Sequence, residues 1–321
     1  MNRRDFMKGV PSLTALLSVF PAGLGGMVQQ KPLGQLERRS LGSTGEMLSI
    51  VGFGGIVVMN ASSQEASTRV GQAIDAGVNY FDVAPSYGNA EDQLGPALEP
   101  YRKKVFLACK TTKRNKTEAA AELDRSLRKM RTDHFDLYQH HAVAKLEEVE
   151  QIFMPGGSME AFLEGKAAGK IRFIGFSAHS VEAALALLDR YPFDTILFPI
   201  NFATWYAGNF GPQVLAKAHE KKMGILALKS MAHRPWPEGA NKTFPKCWYE
   251  PLSEPSEAFL GLRFTLSHPV TAALPPGDEN LFKMALGLAA RLTPLSSAEI
   301  ADLKMKAQKT PPIFKYPQAN S

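Results

Sequence analysis

The chain has 321 residues, enough for one large barrel or two ordinary domains, and 45% of them are hydrophobic, which excludes a disordered chain. Its net charge of +6 is interspersed with acids, as in the stretch 118–131, and no long basic block speaks for nucleic-acid binding. Cys109 and Cys247 are its two cysteines; they form no CxxC or Cys/His pattern, which argues against structural zinc or an iron–sulfur cluster, and Cys109 reads as a buried free thiol.

At the N-terminus, Arg3-Arg4-Asp5-Phe6-Met7-Lys8 precedes a mildly apolar run from Val10 to Leu24. Paired arginines, a Phe, a Lys and a weakly hydrophobic stretch resemble a twin-arginine export signal. The resemblance implies a signal segment and linker over 1–35, the twin-arginine export machinery as a partner, and a periplasmic or otherwise extracytoplasmic location. A cytoplasmic protein with a basic N-terminus is the alternative. The run is short and carries Pro11 and Pro21, so it predicts no stable membrane span unless the signal is retained as an anchor.

From Leu36 onward, short apolar runs alternate with amphipathic ones. Segments 36–41 and 47–50 flank Gly42-Ser43-Thr44-Gly45 and predict a β-hairpin. Strands are predicted at 49–53, 78–82, 105–110, 135–141, 171–177, 195–200, 225–229 and 271–274. Helices are predicted between them at 64–76, 91–98, 116–130, 159–168, 181–190, 214–222 and 257–267, with one more near 280–287. Eight strand–helix units predict a closed (β/α)8 TIM barrel over 36–321, with an N-terminal hairpin and a C-terminal helical extension near 297–309. An open doubly wound sheet is the alternative, but no GxGxxG follows a strand. The stretch 231–256 is too long for a routine connector and reads as a loop that shapes the barrel mouth.

The chemistry-bearing residues fall at the C-terminal ends of predicted strands, where barrel enzymes carry their reactive groups. Strand two runs into Asp82-Val83-Ala84-Pro85-Ser86-Tyr87-Gly88, strand three ends at Lys110, and strand four reads Asp136-Leu137-Tyr138-Gln139-His140-His141. An Asp, a Tyr five residues later, a strand-ending Lys and a His closing a strand, in this order, resemble the aldo-keto reductases. Asn89-Ala90-Glu91-Asp92-Gln93-Leu94-Gly95 and Gly169-Lys170-Ile171-Arg172-Phe173-Ile174-Gly175-Phe176-Ser177 extend the likeness, which covers roughly 36–303.

The resemblance implies an enzyme that moves a hydride between NADP or NAD and a carbonyl. A free phenol has a pKa of about 10 and is a weak acid, so a neighbouring ammonium that lowers it would make a better proton donor. The expected roles are Tyr87 as general acid, Lys110 as its tuner, Asp82 as orienter of Lys110, and His141 as anchor of the carbonyl oxygen. His140 and His141 are adjacent on a strand and must face opposite ways, so no metal is expected at a His140/His141/His179 cluster. A structural Asp82–Lys110 ion pair and a rim Tyr87 are the plain alternatives.

The resemblance further implies cofactor contacts at Gly54, Gly55, Ser177, Asn201, Lys229, Ser230, Glu279 and Asn280. Here the chain departs from the family's pattern. Where the family continues Ser-Asn, Ser177 is followed by Ala178-His179, so that His179 either replaces the Asn as a cofactor contact or that contact is lost; Leu197 stands where a Gln is common, and the basic stretch for the 2′-phosphate of NADP is shortened beside Asp278. NADP is therefore not implied over NAD. The substrate is expected to be a small aldehyde, ketone or sugar, with Trp205, Tyr206, Trp236, Trp248 and Tyr249 as candidate mouth aromatics. Two alternatives stay open: a tightly held, self-recycled cofactor acting on a sugar-like polyol, and a cofactor-binding module of low turnover.

Overall fold

The structure, a computed structural model, describes residues 36–317. The twin-arginine motif therefore lies outside the described residues. In chain order the strands are β1 (Arg38–Ser40), β2 (Met47–Ser49), β3 (Phe53–Gly54), β4 (Tyr80–Asp82), β5 (Phe106–Thr111), β6 (Phe135–Val143), β7 (Ile171–Ala178), β8 (Thr195–Pro199), β9 (Gly224–Leu228), β10 (Ala232–Pro235), β11 (Tyr249–Pro251) and β12 (Ala272–Leu274). The helices are α1 (Ser63–Asp75), α2 (Ala90–Leu98), α3 (Lys116–Lys129), α4 (Leu146–Phe153), α5 (Ser158–Ala167), α6 (Val181–Arg190), α7 (Phe202–Tyr206), α8 (Pro212–Glu220), α9 (Pro255–Leu266), α10 (Glu279–Ala289) and α11 (Ser297–Lys309).

Eight strands pair in parallel in the order β12-β9-β8-β7-β6-β5-β4-β3. The ring is closed by a parallel bridge between Val51 and Ala273, where Gly52 N–H donates to Ala273 O at 3.0 Å. Gly52 has to be glycine at this seam, because a Cβ there would lie 2.4 Å from the Tyr80 ring. The (β/α)8 barrel is thus present as expected.

Side-chain alternation divides the apolar residues into two cores. Tyr80, Ala108, Leu137, Leu197, Leu226 and Ala272 fill the barrel interior together with Leu41 and Leu48 of the hairpin. The outward set, including Phe81, Leu107, Phe135, Ile174 and Ile196, packs under the helices. The hairpin therefore plugs one end of the barrel, and β1 pairs antiparallel with β2 as the Gly-Ser-Thr-Gly turn predicts.

The structure departs from the expected elements in three places. The run 49–53 is split: Ser49 belongs to the hairpin, and the barrel strand begins only at Phe53. The stretch 231–256 contains an antiparallel pair, β10 and β11. Two short helices, α4 and α7, were not expected. The C-terminal helix falls at 297–309 as predicted, with a Ser296/Glu299 capping box. Arg263 of α9 grips it by donating to Glu299 Oε1 at 2.6 Å and to Thr293 O at 2.8 Å. Among the described residues, no helix is long and apolar enough to cross a membrane.

His140 faces outward from β6, its ring stacked on Phe162 at 3.9 Å between centroids. Burial first, then the Arg114 charge, holds its pKa well below the ordinary 6.5. Burial likewise lowers His268, which packs between Trp205 and Phe264. Both histidines accept protons on unfolding but resist them when folded. Stability is therefore complete above the ordinary value and is lost as pH falls below it. We expect the melting temperature to drop between about pH 7.5 and about pH 5.5, and His140→Gln to flatten that dependence. Thermal denaturation of both proteins across this range checks it; equal slopes would contradict the assignment.

Candidate active site

Asp82 ends β4 and Lys110 lies near the end of β5, both on the inner face of the barrel. They form an ion pair with side chains 1% and 0% exposed. Lys110 Nζ also donates to Tyr87 Oη at 3.2 Å and to Val83 O at 3.3 Å. The second Asp82 oxygen accepts from Tyr80 Oη at 3.2 Å and from Gln139 Nε2 at 3.3 Å. Tyr80 and Gln139 escaped the sequence reading, although period-two spacing offered a signal: each precedes an inward-facing site residue, Asp82 or His141, by two positions.

Electrostatics here differ in one respect from expectation. Burial alone would lower the Lys110 pKa, but the Asp82 carboxylate and the Tyr87 phenol outweigh it, and the ammonium is held above its ordinary value. For Tyr87 the expected net direction reverses. Burial pushes the phenol above its ordinary 10.0, and Lys110 offsets only part of that rise. Tyr87 is therefore a firmly protonated phenol with a cation at its oxygen, suited to donating rather than holding a negative charge in the free protein.

His141 stands beside this group, its ring edge-on to Tyr87 at 5.6 Å between centroids. Burial, then the Lys110 charge, keeps its pKa well below 6.5, so it is a neutral hydrogen-bonding group. Its peptide is clamped from two sides. Arg114 Nη2 donates to His141 O at 2.6 Å, and the next residue, Ala142, donates its N–H to Ser177 Oγ at 2.7 Å. Ala142 has a φ of 53°, a left-handed conformation that costs a non-glycine residue about 1–3 kcal/mol and needs such support. Arg114 is held in turn by Glu148 at 2.9 Å, and neither was found from sequence.

The expected cofactor residues divide into several groups. Gly54 and Lys229 line one cavity with Asp82 and Tyr87, joined by Leu197, Lys246, Trp248 and Tyr249. Nothing lies within 4 Å of where a Cβ on Gly54 would sit, so the backbone there is open to a ligand, whereas a Cβ on Gly55 would lie 2.8 Å from Val83. Ser177 braces Ala142 as described. Asn201 caps α7 by accepting from Thr204 N and Oγ1 at 2.9 and 2.7 Å, and its amide nitrogen is buried without a partner. Ser230 is buried with an unpartnered hydroxyl. His179 stacks on Phe314 at 5.3 Å; burial, then Lys229, lowers its pKa to about 3. Glu279 is paired with Arg69, and Asn280 is exposed at the start of α10.

Of the candidate mouth aromatics, Trp248 and Tyr249 line the cavity. Trp236 buttresses them by donating Nε1–H to Cys247 O at 2.8 Å. Trp205 and Tyr206 instead pack against Phe264 of α9. They face the helix layer because α7 turns the chain away from the mouth. Both cysteines are buried free thiols. Among the described residues no group of three or more His, Cys, Asp or Glu could hold a metal.

Removing one partner of a buried ion pair strands the other. Asp82→Leu should therefore destabilise the protein by about 3–5 kcal/mol, and adding Lys110→Met should recover much of that loss. Urea unfolding of the two single variants and the double variant measures the coupling. Simple additivity would show that the pair is not held as described.

Residues 51–238 match the model of the Aldo/keto reductase family. Over 215 residues the chain is 29% identical to aldo-keto reductase YhdN of Bacillus subtilis, covering 61% of this chain and 62% of that protein. It is 30% identical to L-galactose dehydrogenase of Arabidopsis thaliana over 214 residues, 62% of this chain and 66% of the relative. These matches span slightly less than two thirds of either relative. A solved aldo-keto reductase, AKR11C1 from Bacillus halodurans in its holo form, has the same fold, with a TM-score of 0.66 at 23% identity over 88% of this chain and 99% of that one. The family match covers more than half of the chain and contains Asp82, Tyr87, Lys110 and His141, so the protein belongs to the aldo/keto reductase family.

Proposed function

We propose that this protein is an NAD(P)-dependent oxidoreductase that reduces an aldehyde, ketone or sugar carbonyl to the alcohol, or runs the reverse reaction, with Tyr87 as the proton donor. The observation that carries this reading is the Lys110 ammonium, held by a buried carboxylate and 3.2 Å from the Tyr87 phenol oxygen. A buried cation aimed at a phenol stabilises the charge that develops on its oxygen as the proton leaves.

The residues fit a nicotinamide dinucleotide. Gly54 opens the backbone beside Tyr87, and the cavity that begins there is lined also by Lys229, Lys246 and Gly277, the last immediately before the α10 cap. Gly54, Lys246 and the Gly277 end would hold the cofactor, which would supply the hydride when bound. This chain's own groups do the rest. Tyr87 gives its proton to the carbonyl oxygen, His141 steadies that oxygen as a neutral hydrogen-bond partner, and Lys110 offsets the charge left on Tyr87. Asp82, braced by Tyr80 and Gln139, keeps Lys110 charged and aimed.

We read the cofactor as NAD(H) in preference to NADP(H). Asp278 caps α10 by accepting from Asn280 N at 2.9 Å and Leu281 N at 3.2 Å, so its carboxylate takes the amides that would greet a phosphate. Arg69, the nearby guanidinium, is committed to Glu279 and Glu65. Carboxylates suit ribose hydroxyls and repel a 2′-phosphate. The paired arginines of the N-terminal segment support an extracytoplasmic site of action after twin-arginine export.

Tyr87→Phe should lower carbonyl reduction by about 10²–10⁴-fold while leaving NADH affinity near wild type. Steady-state turnover with small aldehydes and fluorescence titration of NADH test both halves; unchanged turnover would remove Tyr87 from the reaction. The same titration should give a lower Kd for NADH than for NADPH, and the opposite order would overturn the cofactor reading.

A further inference from the structure

Lys229 is the cavity-lining cation that the proposed reaction leaves without an assigned counter-charge. It follows β9 in a left-handed conformation, φ 65°, which is costly for a non-glycine residue, and its side chain lines the cavity. Its Nζ lies 5.0 Å from the Trp248 ring centroid and 5.5 Å from that of Tyr249. Among the described residues it has no acidic partner.

The charges around it do not balance. Lys110 is neutralised by Asp82. His141 and His179 are held neutral, and burial raises the thiol of Cys247 to about 11 and the phenols of Tyr87 and Tyr249 above their ordinary values. Burial lowers the Lys229 pKa to about 8, so it is still mostly a cation at neutral pH, and two aromatic faces are its close company.

Two lysines line this cavity, and their surroundings separate them. Lys246 has its pKa lowered by burial and by Arg69, with Asp278, Glu279 and Glu65 at the α10 end as opposing charges, and it donates to Ile56 O and Val57 O at 3.3 Å. Lys229 feels Cys247 and Lys110, and its charge reaches His141 and His179 in turn. It thus sits with the reacting groups, whereas Lys246 sits with the end assigned above to the dinucleotide.

We propose that Lys229 holds the anionic group of the substrate, and that the substrate class is a carbonyl compound bearing a carboxylate. A single ammonium without an arginine beside it suits a carboxylate better than a phosphate dianion, which calls for several donors. Trp248 and Tyr249 then cover the apolar stem between the two polar ends. This inference rests on the hydride-transfer reading and adds the specificity of the same site.

The test compares 4-oxobutanoate with its methyl ester, two aldehydes of similar shape that differ in charge, using wild type, Lys229→Met and Lys229→Arg. Wild type should prefer the acid by about tenfold or more in kcat/KM. Lys229→Met should abolish that preference through KM for the acid, with NADH affinity unchanged, and Lys229→Arg should retain part of it. Lys229→Met should melt no lower than wild type, because it removes an unpaired cation. Equal losses on acid and ester together with weaker NADH binding would assign Lys229 to the cofactor and overturn the proposal. If wild type neither turns over either aldehyde nor binds NADH or NADPH, the hydride-transfer reading fails by itself. Calorimetric binding of 4-hydroxybutanoate to wild type and Lys229→Met then decides on the anion: binding lost in the variant supports it, and no difference overturns it.

Discussion

The buried contact between Asp82 and Lys110 is the constraint on which the rest of the site depends. Two charges taken out of water cost several kcal/mol each unless their geometry and remaining hydrogen bonds are satisfied. The barrel satisfies them with its own inward face. Tyr80 and Gln139 complete the carboxylate, while Val83 O and the Tyr87 phenol complete the ammonium. A phenol in this position is a structural partner of the pair as well as the proposed proton donor. That is why Tyr87, on a loop beyond the strand, is held at the barrel mouth.

The supporting layer works by the same logic at longer range. β6 ends in His141, and the left-handed turn at Ala142 directs the chain away immediately after it. Such a turn persists because Ser177 and the Arg114–Glu148 pair hold both polar atoms of the peptide that leads into it. At the opposite end, Leu41 and Leu48 of the hairpin complete the interior core. One end of the barrel is thus filled with apolar side chains, and the other carries the polar groups and the cavity.

Much of this was legible in the sequence because it rests on local periodicity. Eight apolar runs with helical stretches between them specify the barrel. Asp82, Lys110 and His141 are carried by strand ends, which are well marked, and Tyr87 follows five residues after the first of them. What was hidden depends on contacts between distant segments. Tyr80 and Gln139 look like ordinary strand residues until the register sets both against Asp82. Arg114 and Glu148 meet across 34 positions of sequence. The β10–β11 pair lay concealed in a stretch rich in Pro and Gly, and Trp205 and Tyr206 were misplaced because α7, only five residues long, carries little periodic signal. The net direction of the Tyr87 pKa was unreadable for a similar reason: a sequence names the neighbouring cation but not the depth of burial that opposes it.

The central claim is that Lys110 acts on the Tyr87 phenol from within a buried pair. Titrating Tyr87 directly, by NMR of ring-labelled tyrosine in wild type and in Lys110→Met, tests it without assuming any substrate. The account predicts a Tyr87 resonance that titrates above the free-tyrosine range in wild type and still higher once Lys110 is removed. A resonance that does not move on loss of Lys110 would contradict it, because the ammonium would then have no electrostatic hold on the proton it is meant to release.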